Sequence, residues 1–329
     1  MTTRIIGTGS CLPARVVTNQ ELSSQVETSD EWITTRTGIR ERRIAQEETT
    51  VSLAQGAAEN ALKQAGISAE SLDLILVATS SPQDAFPNTA SLVQHALGAV
   101  NAAGYDMSAA CSGFILALHT ADAFIQAGIY QNVLVIGVDV MSKLIDWTDR
   151  STCVLFGDGA GAVLMSASQP TGGQAVAKRN MTCVMHNDGS LNGVLTCTER
   201  QTVNFLTNEK KLQHGFIAMD GQEVFRFAVK KVPQCILEVL EKSGQSKEEI
   251  DYFILHQANL RIIQSVAKRL GASEEKFPCN LQKYGNTSAA SIPILLDEMH
   301  RDGRLRSGNK IVLSGFGAGL SWGAITFTW

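Results

Sequence analysis

The chain repeats itself, and a duplication restricts the available folds more tightly than any other feature of this sequence. Residues 62–77, LKQAGISAESLDLILV, align with residues 240–255, LEKSGQSKEEIDYFIL, 178 positions later. Gly66 falls on Gly244, Ser68 on Ser246, Glu70 on Glu248 and Asp73 on Asp251. Each copy reads as the end of an amphipathic helix, a glycine stop, a capped turn and an apolar strand. VLVIG at 133–137 lies over IVLSG at 311–315 with the same spacing. SAACSGFILAL at 108–118 lies over SAASIPILLDE at 288–298 with a spacing of 180, a drift that a small loop difference would give. That pairing sets Cys111 on Ser291. Each half then reads as strand, helix, strand, helix, strand, with apolar strands that lack clear alternation, as in sheets covered on both faces. The expectation is an α/β chain of two similar halves, 1–172 and 173–329, joined at QPTGGQ (169–174), with function at strand ends near their junction. The stretch 196–214 and the charged segment 240–251 read as surface or lid material.

Two such halves need a large core, and a composition of 44% apolar and 18% charged residues supplies one. It excludes a disordered or fibrous chain. A net charge of −4 argues against a nucleic-acid coat. No run approaches the roughly 20 apolar residues of a membrane span, and MTTRIIGTGS lacks a basic-then-apolar leader. A soluble, cytoplasmic protein is expected. The seven cysteines are scattered, odd in number and free of CxxC pairs, so neither a disulfide framework nor a zinc ribbon is indicated. Cys183, Met185, His186 and Asp188 offer one good soft ligand and no partner cluster, so no metal is expected. GTGSCLP at 7–13 and FGDGAGAVLM at 156–165 lack the dinucleotide fingerprint and read as turns.

One cysteine stands apart. Cys111 follows the strand-like AAGYDMSAA and opens the apolar helical run CSGFILALHTADAFIQAG. The positive end of a helix favours thiolate over thiol, and small neighbours leave the sulfur reachable. His256 ends the repeated strand YFILH, where it could equally be a histidine that caps a strand. Asn286 lies in KYGNTSAAS, before the segment that duplicates the Cys111 region, although an Asn after Gly is commonly a turn residue. Together they form a Cys–His–Asn set.

These segments carry a resemblance. TSDEWITTRTGIRER at 28–42, AACSGF at 109–114, DRSTCVLFGDGAGA at 149–162, HQANLRII at 256–263 and YGNTSAAS at 284–291 resemble condensing enzymes of the thiolase superfamily. Within it they are most similar to the β-ketoacyl-acyl carrier protein synthase III family, over nearly the whole chain. The resemblance implies a duplicated thiolase-like fold with a layered α-β-α-β-α core. It implies acyl transfer from acyl-coenzyme A, acetyl being the first candidate, to Cys111, then decarboxylative condensation with malonyl-acyl carrier protein. His256 and Asn286 would hold the enolate, and backbone N–H groups of Cys111 and Ala318 the tetrahedral oxyanion. Similar enzymes have glycine where Ala318 stands. Trp32 would stack on the adenine, with Arg36, Arg150 and Asn259 at the coenzyme. Phe86 would reach across a homodimer into the partner's acyl pocket. No permanently bound cofactor is implied.

A carrier protein is acidic, so a basic rim is wanted. NLRIIQSVAKRL (259–270) reads as a helix whose Arg261, Gln264, Ser265, Lys268 and Arg269 gather on one face at about 100° per residue. Ile262, Ile263, Val266, Ala267 and Leu270 cover the other. Arg226 in VFRFAV matches a basic position near the entrance of similar enzymes. A simply solvated face is the plainer alternative. Other members of the superfamily fit less well. A thiolase needs a second cysteine in the last glycine-rich loop, whereas the last cysteine here is Cys279, and a hydroxymethylglutaryl synthase needs a carboxylate where TSSPQ (79–83) stands. A secondary-metabolite ketosynthase or acyltransferase, or a non-catalytic partner subunit, stays open.

Overall fold

A computed structural model describes residues 2–168, 180–198 and 215–329, and the backbone alone of 202–204 and 209–211. The junction expected at 169–174 and part of the lid expected at 196–214 lie outside the described residues. In chain order the principal elements begin with β1 (Thr2–Cys11), α1 (Asp30–Thr37), α2 (Thr50–Ala65), β2 (Leu74–Ala78), α3 (Thr89–Leu97) and β3 (Ala103–Met107). There follow α4 (Gly113–Gln126), β4 (Asn132–Val140), β5 (Asp158–Ser168), β6 (Thr182–Asn187) and α5 (Gly221–Ser243). The last are β7 (Tyr252–Leu255), α6 (Leu260–Leu270), α7 (Ser291–Arg301), β8 (Lys310–Gly317) and β9 (Ser321–Thr328).

The strands form two principal sheets, ordered β1–β5–β4–β2–β3 and β7–β8–β9–β6. In the first, β4–β2–β3 run parallel and β5 is antiparallel to both its neighbours, β1 and β4; in the second, β7 and β8 pair parallel, and the β8–β9 and β9–β6 pairs are antiparallel. The repeat read from the sequence is real in space. Gly66 and Gly244 both end helices in the left-handed region, at φ 69° and 70°. Asp73 and Asp251 accept N–H groups at the start of β4 and β8, from Asn132 and Lys310.

Burial explains the layering. Leu74, Leu76, Val133 and Val135 of the first sheet and Ile254, Ile311 and Leu313 of the second pack on α4 and α7 between them. The opposite face of the first sheet, with Ile75, Val77, Leu134 and Ile136, is covered by α2 and α3. That of the second, with Phe253, Leu255 and Val312, is covered by α5 and α6. The result is the five-layer α-β-α-β-α core. A central helix must be apolar on nearly every side, and α4 buries Phe114, Ile115, Ala117, Leu118, Ala121 and Ile125. Among the described residues no helix is long and apolar enough to cross a membrane.

The structure corrects one alignment. The short turn Ala110–Ser112 before α4 corresponds to Ser288–Ala290 before α7, so the spacing stays at 178 and Cys111 falls on Ala289, not on Ser291. The letters SAA matched at 180, but the backbone matches where both turns open in the left-handed region, at Ala110 (φ 46°) and Ser288 (φ 51°).

Candidate active site

Cys111, His256 and Asn286 line one cavity of about 530 Å³. Cys111 sits in the turn two residues ahead of α4, at the helix's positive end, as the sequence predicts. The predicted thiolate does not follow. Cys111 is buried, and burial pushes its thiol up to about 12; a hydrogen bond with Ser288 opposes this and the Asp139 charge adds to it. Desolvation outweighs the helix end, so the resting group is a thiol.

His256 follows β7, its N–H donating to Ser314 O at 2.9 Å, and its ring packs edge-on against Phe316. Burial pushes the imidazole down to about 3, so it is neutral at every working pH. Nδ1 lies 2.7 Å from Ser291 Oγ. That oxygen also accepts the Gln257 N–H at 3.3 Å, and in the tautomer in which its own proton goes to Nδ1 the ring hydrogen lies on Nε2. Nε2 has no hydrogen-bond partner within the protein, and the ring faces the cavity. Asn286 is fixed through its backbone to Leu155 O and Gly157 N, and its Oδ1 accepts the Ser288 N–H at 2.9 Å. With the oxygen engaged, the Nδ2 donor is left for the cavity. Two neutral donors therefore stand beside a buried thiol.

Of the residues expected at the coenzyme, Trp32, Arg36 and Asn259 line the cavity, and Arg150 stands beside Trp32. Ser29 caps α1 and Gly38 (φ 84°) stops it, which presents Trp32 and Arg36 on the cavity wall. The guanidiniums of Arg36 and Arg150 approach the Trp32 ring at 4.9 and 5.1 Å. Buried Arg42 donates to Asn19 Oδ1 and Val154 O, tying this segment to the one carrying Arg150. Asn259 caps α6 and donates from Nδ2 to Arg36 O at 3.1 Å, so it lines the cavity while holding the α1 end in place.

Arg226 and Arg261 also line the cavity. Arg226 is paired with Glu223, which leaves a weaker positive rim there than the sequence suggested, whereas the Arg261 guanidinium lies over Phe225. Lys268 and Arg269 are exposed on the same helix, away from the cavity, and the five apolar positions of α6 are buried as predicted. Ala318 is not among the lining residues; Phe316 and Gly317 are. Phe86 is 87% exposed and does not line this chain's cavity. Cys183, His186 and Asp188 do not form a metal site: among the described residues no group of three or more His, Cys, Asp or Glu is placed to hold one, and His186 pairs with Glu238. Sequence reasoning missed Ser288, Ser291 and Asp139. A lone carboxylate inside the apolar run NVLVIGVDV was the available signal for Asp139.

Comparison with known proteins agrees with this geometry. Residues 105–189 match the family described as 3-oxoacyl-[acyl-carrier-protein] synthase III, and residues 240–329 match its C-terminal counterpart. A β-ketoacyl-[acyl-carrier-protein] synthase III of Clostridium acetobutylicum is 48% identical over 325 residues, 99% of this chain and 98% of that one. The chain belongs to the β-ketoacyl-acyl carrier protein synthase III family. It is therefore an acyl-transferring condensing enzyme of the kind that initiates fatty-acid synthesis. The crystal structure of the synthase III from Aquifex aeolicus superposes with a TM-score of 0.91 at 48% identity, covering 99% of this chain and 100% of that one. The priming β-ketosynthase of the R1128 polyketide pathway superposes at 0.90 with 36% identity, over 99% of this chain and 96% of that one.

Proposed function

We propose that this synthase III loads an acyl group from acyl-coenzyme A, acetyl first, onto Cys111 and condenses it with malonyl-acyl carrier protein. The observation that carries this reading is that Cys111, His256 and Asn286, from different halves of the chain, line one cavity whose mouth bears Trp32 flanked by two guanidiniums. The indole face suits a purine, and Arg36 and Arg150 suit phosphates. Backbone N–H groups of Cys111 and Ala318 receive the tetrahedral oxyanion, each good donor contributing roughly 3 kcal/mol. Loss of CO2 from the malonyl group leaves an enolate. His256 Nε2–H and Asn286 Nδ2–H stabilise it, and a histidine held neutral by burial does not quench the carbanion. The carbanion attacks acyl-Cys111 and the C–S bond breaks with its electron pair on Sγ, releasing a thiolate that takes a proton from solvent before another cycle. Coenzyme A is a substrate here, and no resident cofactor is needed.

The functional unit is a homodimer of cytoplasmic enzyme, each chain made of the halves 1–172 and 173–329. Strand β3 pairs on one side only, and Tyr105 on it is 36% exposed, with Phe86 and Val100 exposed as well. An exposed apolar sheet edge favours a second copy. Arg226, Arg261, Lys268 and Arg269 receive the carrier protein. The test is the intact mass of the protein after incubation with a panel of acyl-coenzymes. Acetyl or a near relative adds to the wild type, and Cys111→Ser stays unmodified; covalent acyl on that peptide in the variant overturns the assignment. A second reading, priming a secondary-metabolite pathway, draws on the 36% identity to a polyketide priming enzyme. Faster loading of longer primers than of acetyl would favour it.

A further inference from the structure

Behind Cys111, on the side away from the mouth, lies a polar chain that the reaction above does not use. Ser288 Oγ is 3.3 Å from Cys111 Sγ. The same hydroxyl is within hydrogen-bonding reach of the Asp139 carboxylate. Asp139 is fully buried at the end of β4, and four donors converge on it. Oδ1 takes Ser80 N–H at 2.7 Å, Ser81 Oγ–H at 2.9 Å and Thr79 Oγ1–H at 3.2 Å, and Oδ2 takes Ala289 N–H at 3.3 Å. The Ser81 and Thr79 hydroxyls themselves accept backbone N–H groups, from Val140 and Ser81, so their protons point to the carboxylate. Four donors favour the carboxylate form, while burial, the larger effect, pushes its carboxyl up and makes it a ready proton acceptor once ionised.

When Asp139 is ionised, it outcompetes a thiol for the Ser288 proton. Ser288 Oγ is then left to accept the S–H of Cys111. His256 cannot do this, because its Nδ1 is taken by Ser291 and its Nε2 carries hydrogen. Ser288 also sits at φ 51°, a conformation in which a glycine would be easier, so the hydroxyl is kept there at a conformational cost.

We propose that Ser288 and Asp139 form a proton relay for acyl loading, with Ser288 the catalytic residue touching Sγ and Asp139 the positioning residue behind it. As Sγ bonds to the acyl carbon, its proton passes to Ser288 Oγ and the Ser288 proton to Asp139. The C–S bond to coenzyme A breaks with its electron pair on the coenzyme sulfur. That sulfur departs from the carbon Sγ has just joined, and takes a proton back from Asp139 through Ser288. The sum is Cys111 thiol plus acyl-coenzyme A giving acyl-Cys111 plus coenzyme A thiol.

This inference rests on Cys111 being the nucleophile. The titratable groups facing the relay are Cys111 and His256 at one end and Asp158 at the other, Asp139 lying near enough to influence it. The experiment combines single-turnover loading from acetyl-coenzyme A with the pH dependence of Cys111 alkylation by iodoacetamide. Asp139→Asn removes a negative charge, so the alkylation midpoint moves down by about one pH unit while loading slows roughly 100-fold for want of an acceptor. A merely structural role moves both readouts the same way, and that outcome overturns the relay. Ser288→Ala slows loading roughly 100-fold as well, and the double variant is no more than about threefold slower than Ser288→Ala, since the two act in series. Additive losses overturn it. If Asp139→Asn does not fold, wild-type loading must slow in D2O and Ser288→Ala must lose that slowing; a persistent effect, or none in the wild type, overturns it. A wild type that does not load Cys111 at all overturns the nucleophile assignment together with the relay.

Discussion

The two halves bring the same turn to the same place and use it differently. Turns 110–112 and 288–290 each open on a left-handed residue and each leads into a central helix. Each also rests on a glycine of the other half's β4 or β8: a Cβ on Gly137 would meet Ala289 O at 2.3 Å, and one on Gly315 would meet Cys111 O at 3.6 Å. Two residues further along, the symmetry breaks. Asp139 in β4 reaches the C-terminal turn and accepts from Ala289 N–H, while its counterpart in β8 is Gly317. A Cβ there would lie 2.7 Å from Cys111 N and 2.9 Å from Ser112 N. One turn is gripped by a carboxylate; the other is kept clear around its N–H groups. One strained turn carries Cys111, the proposed nucleophile, and the other carries the Ser288 that touches it.

If that division is right, damage to the C-terminal half should separate the two half-reactions. Under the proposed function Asn286→Ala removes one of two enolate donors and should slow malonyl-carrier decarboxylation about 100-fold, near 3 kcal/mol. Acyl loading of Cys111, followed by mass, should fall by less than about tenfold. Equal loss of both would mean that Asn286 serves only the fold, through its contacts with Leu155 and Gly157.

The packing beneath the turns gives a sharper contrast, because equivalent positions should respond unequally. Gly137→Ala drives a methyl into the Ala289 backbone and should cost about 3 kcal/mol of stability. Gly315→Ala meets Ile115 Cγ1 at 3.4 Å, Cys111 O at 3.6 Å and Ile292 Cδ1 at 3.7 Å, all ordinary contacts, and should cost less than about 1 kcal/mol. Urea unfolding of the two variants measures this. Equal costs would show that the turns are packed alike.

Buried charge sets the halves apart again. His256 in the C-terminal half is held down to about 3 by burial, whereas an unfolded histidine titrates near 6.5. Between those values the unfolded chain binds a proton that the folded chain refuses. The contribution is present above about pH 6.5 and is lost as pH falls toward 3. Asp139 and Asp158 in the N-terminal half are pushed up by burial and contribute with the opposite sign. From pH 6.5 to 5, wild type should lose about 2 kcal/mol more stability than His256→Gln. Parallel pH curves for the two proteins would place a charged histidine in the site.

Much of this was legible beforehand, for physical reasons. The duplication, the glycine stops at Gly66 and Gly244, the α1 cap at Ser29 and the buried face of α6 are local patterns, and they survive folding unchanged. That Cys111, His256 and Asn286 share one cavity agrees with the set read from the specific strings around them, and their roles are those proposed above. What was not legible depends on distance across the fold. Ser288 meets Cys111, and Asp139 meets Ala289, only once α4 and α7 pack between the sheets, and no spacing in the chain encodes that. The thiolate expected at Cys111 failed for the same reason: a helix end is visible in the sequence, whereas the burial that pushes the thiol up is not.

The smallest expected effect lies at the surface, where the halves differ once more. Helix α3, TASLVQHAL, carries no lysine or arginine, while its counterpart α6 carries Arg261, Lys268 and Arg269. Arg261 lines the cavity, and Lys268 stands about 10 Å further along the same exposed face at 1.5 Å per residue. Among the described residues none of these three joins an ion pair, whereas Arg226 is already paired with Glu223. Under the proposed docking, a basic strip on a chain of net charge −4 would attract an acidic carrier and orient its phosphopantetheine arm. Arg261→Glu with Lys268→Glu should raise KM for malonyl-acyl carrier protein about fivefold, near 1 kcal/mol, with the difference shrinking as salt rises past about 0.15 M. Arg226→Glu should change it less, since Glu223 already offsets that charge. Loading from free acetyl-coenzyme A should hardly move in Lys268→Glu, which lies away from the cavity, and should shift in Arg261→Glu only to the extent that Arg261 touches the coenzyme. Carrier kinetics indifferent to the charge reversal, or a Lys268→Glu variant that loses loading and condensation together, would remove α6 as the docking face and leave the asymmetry of the two halves confined to their interior.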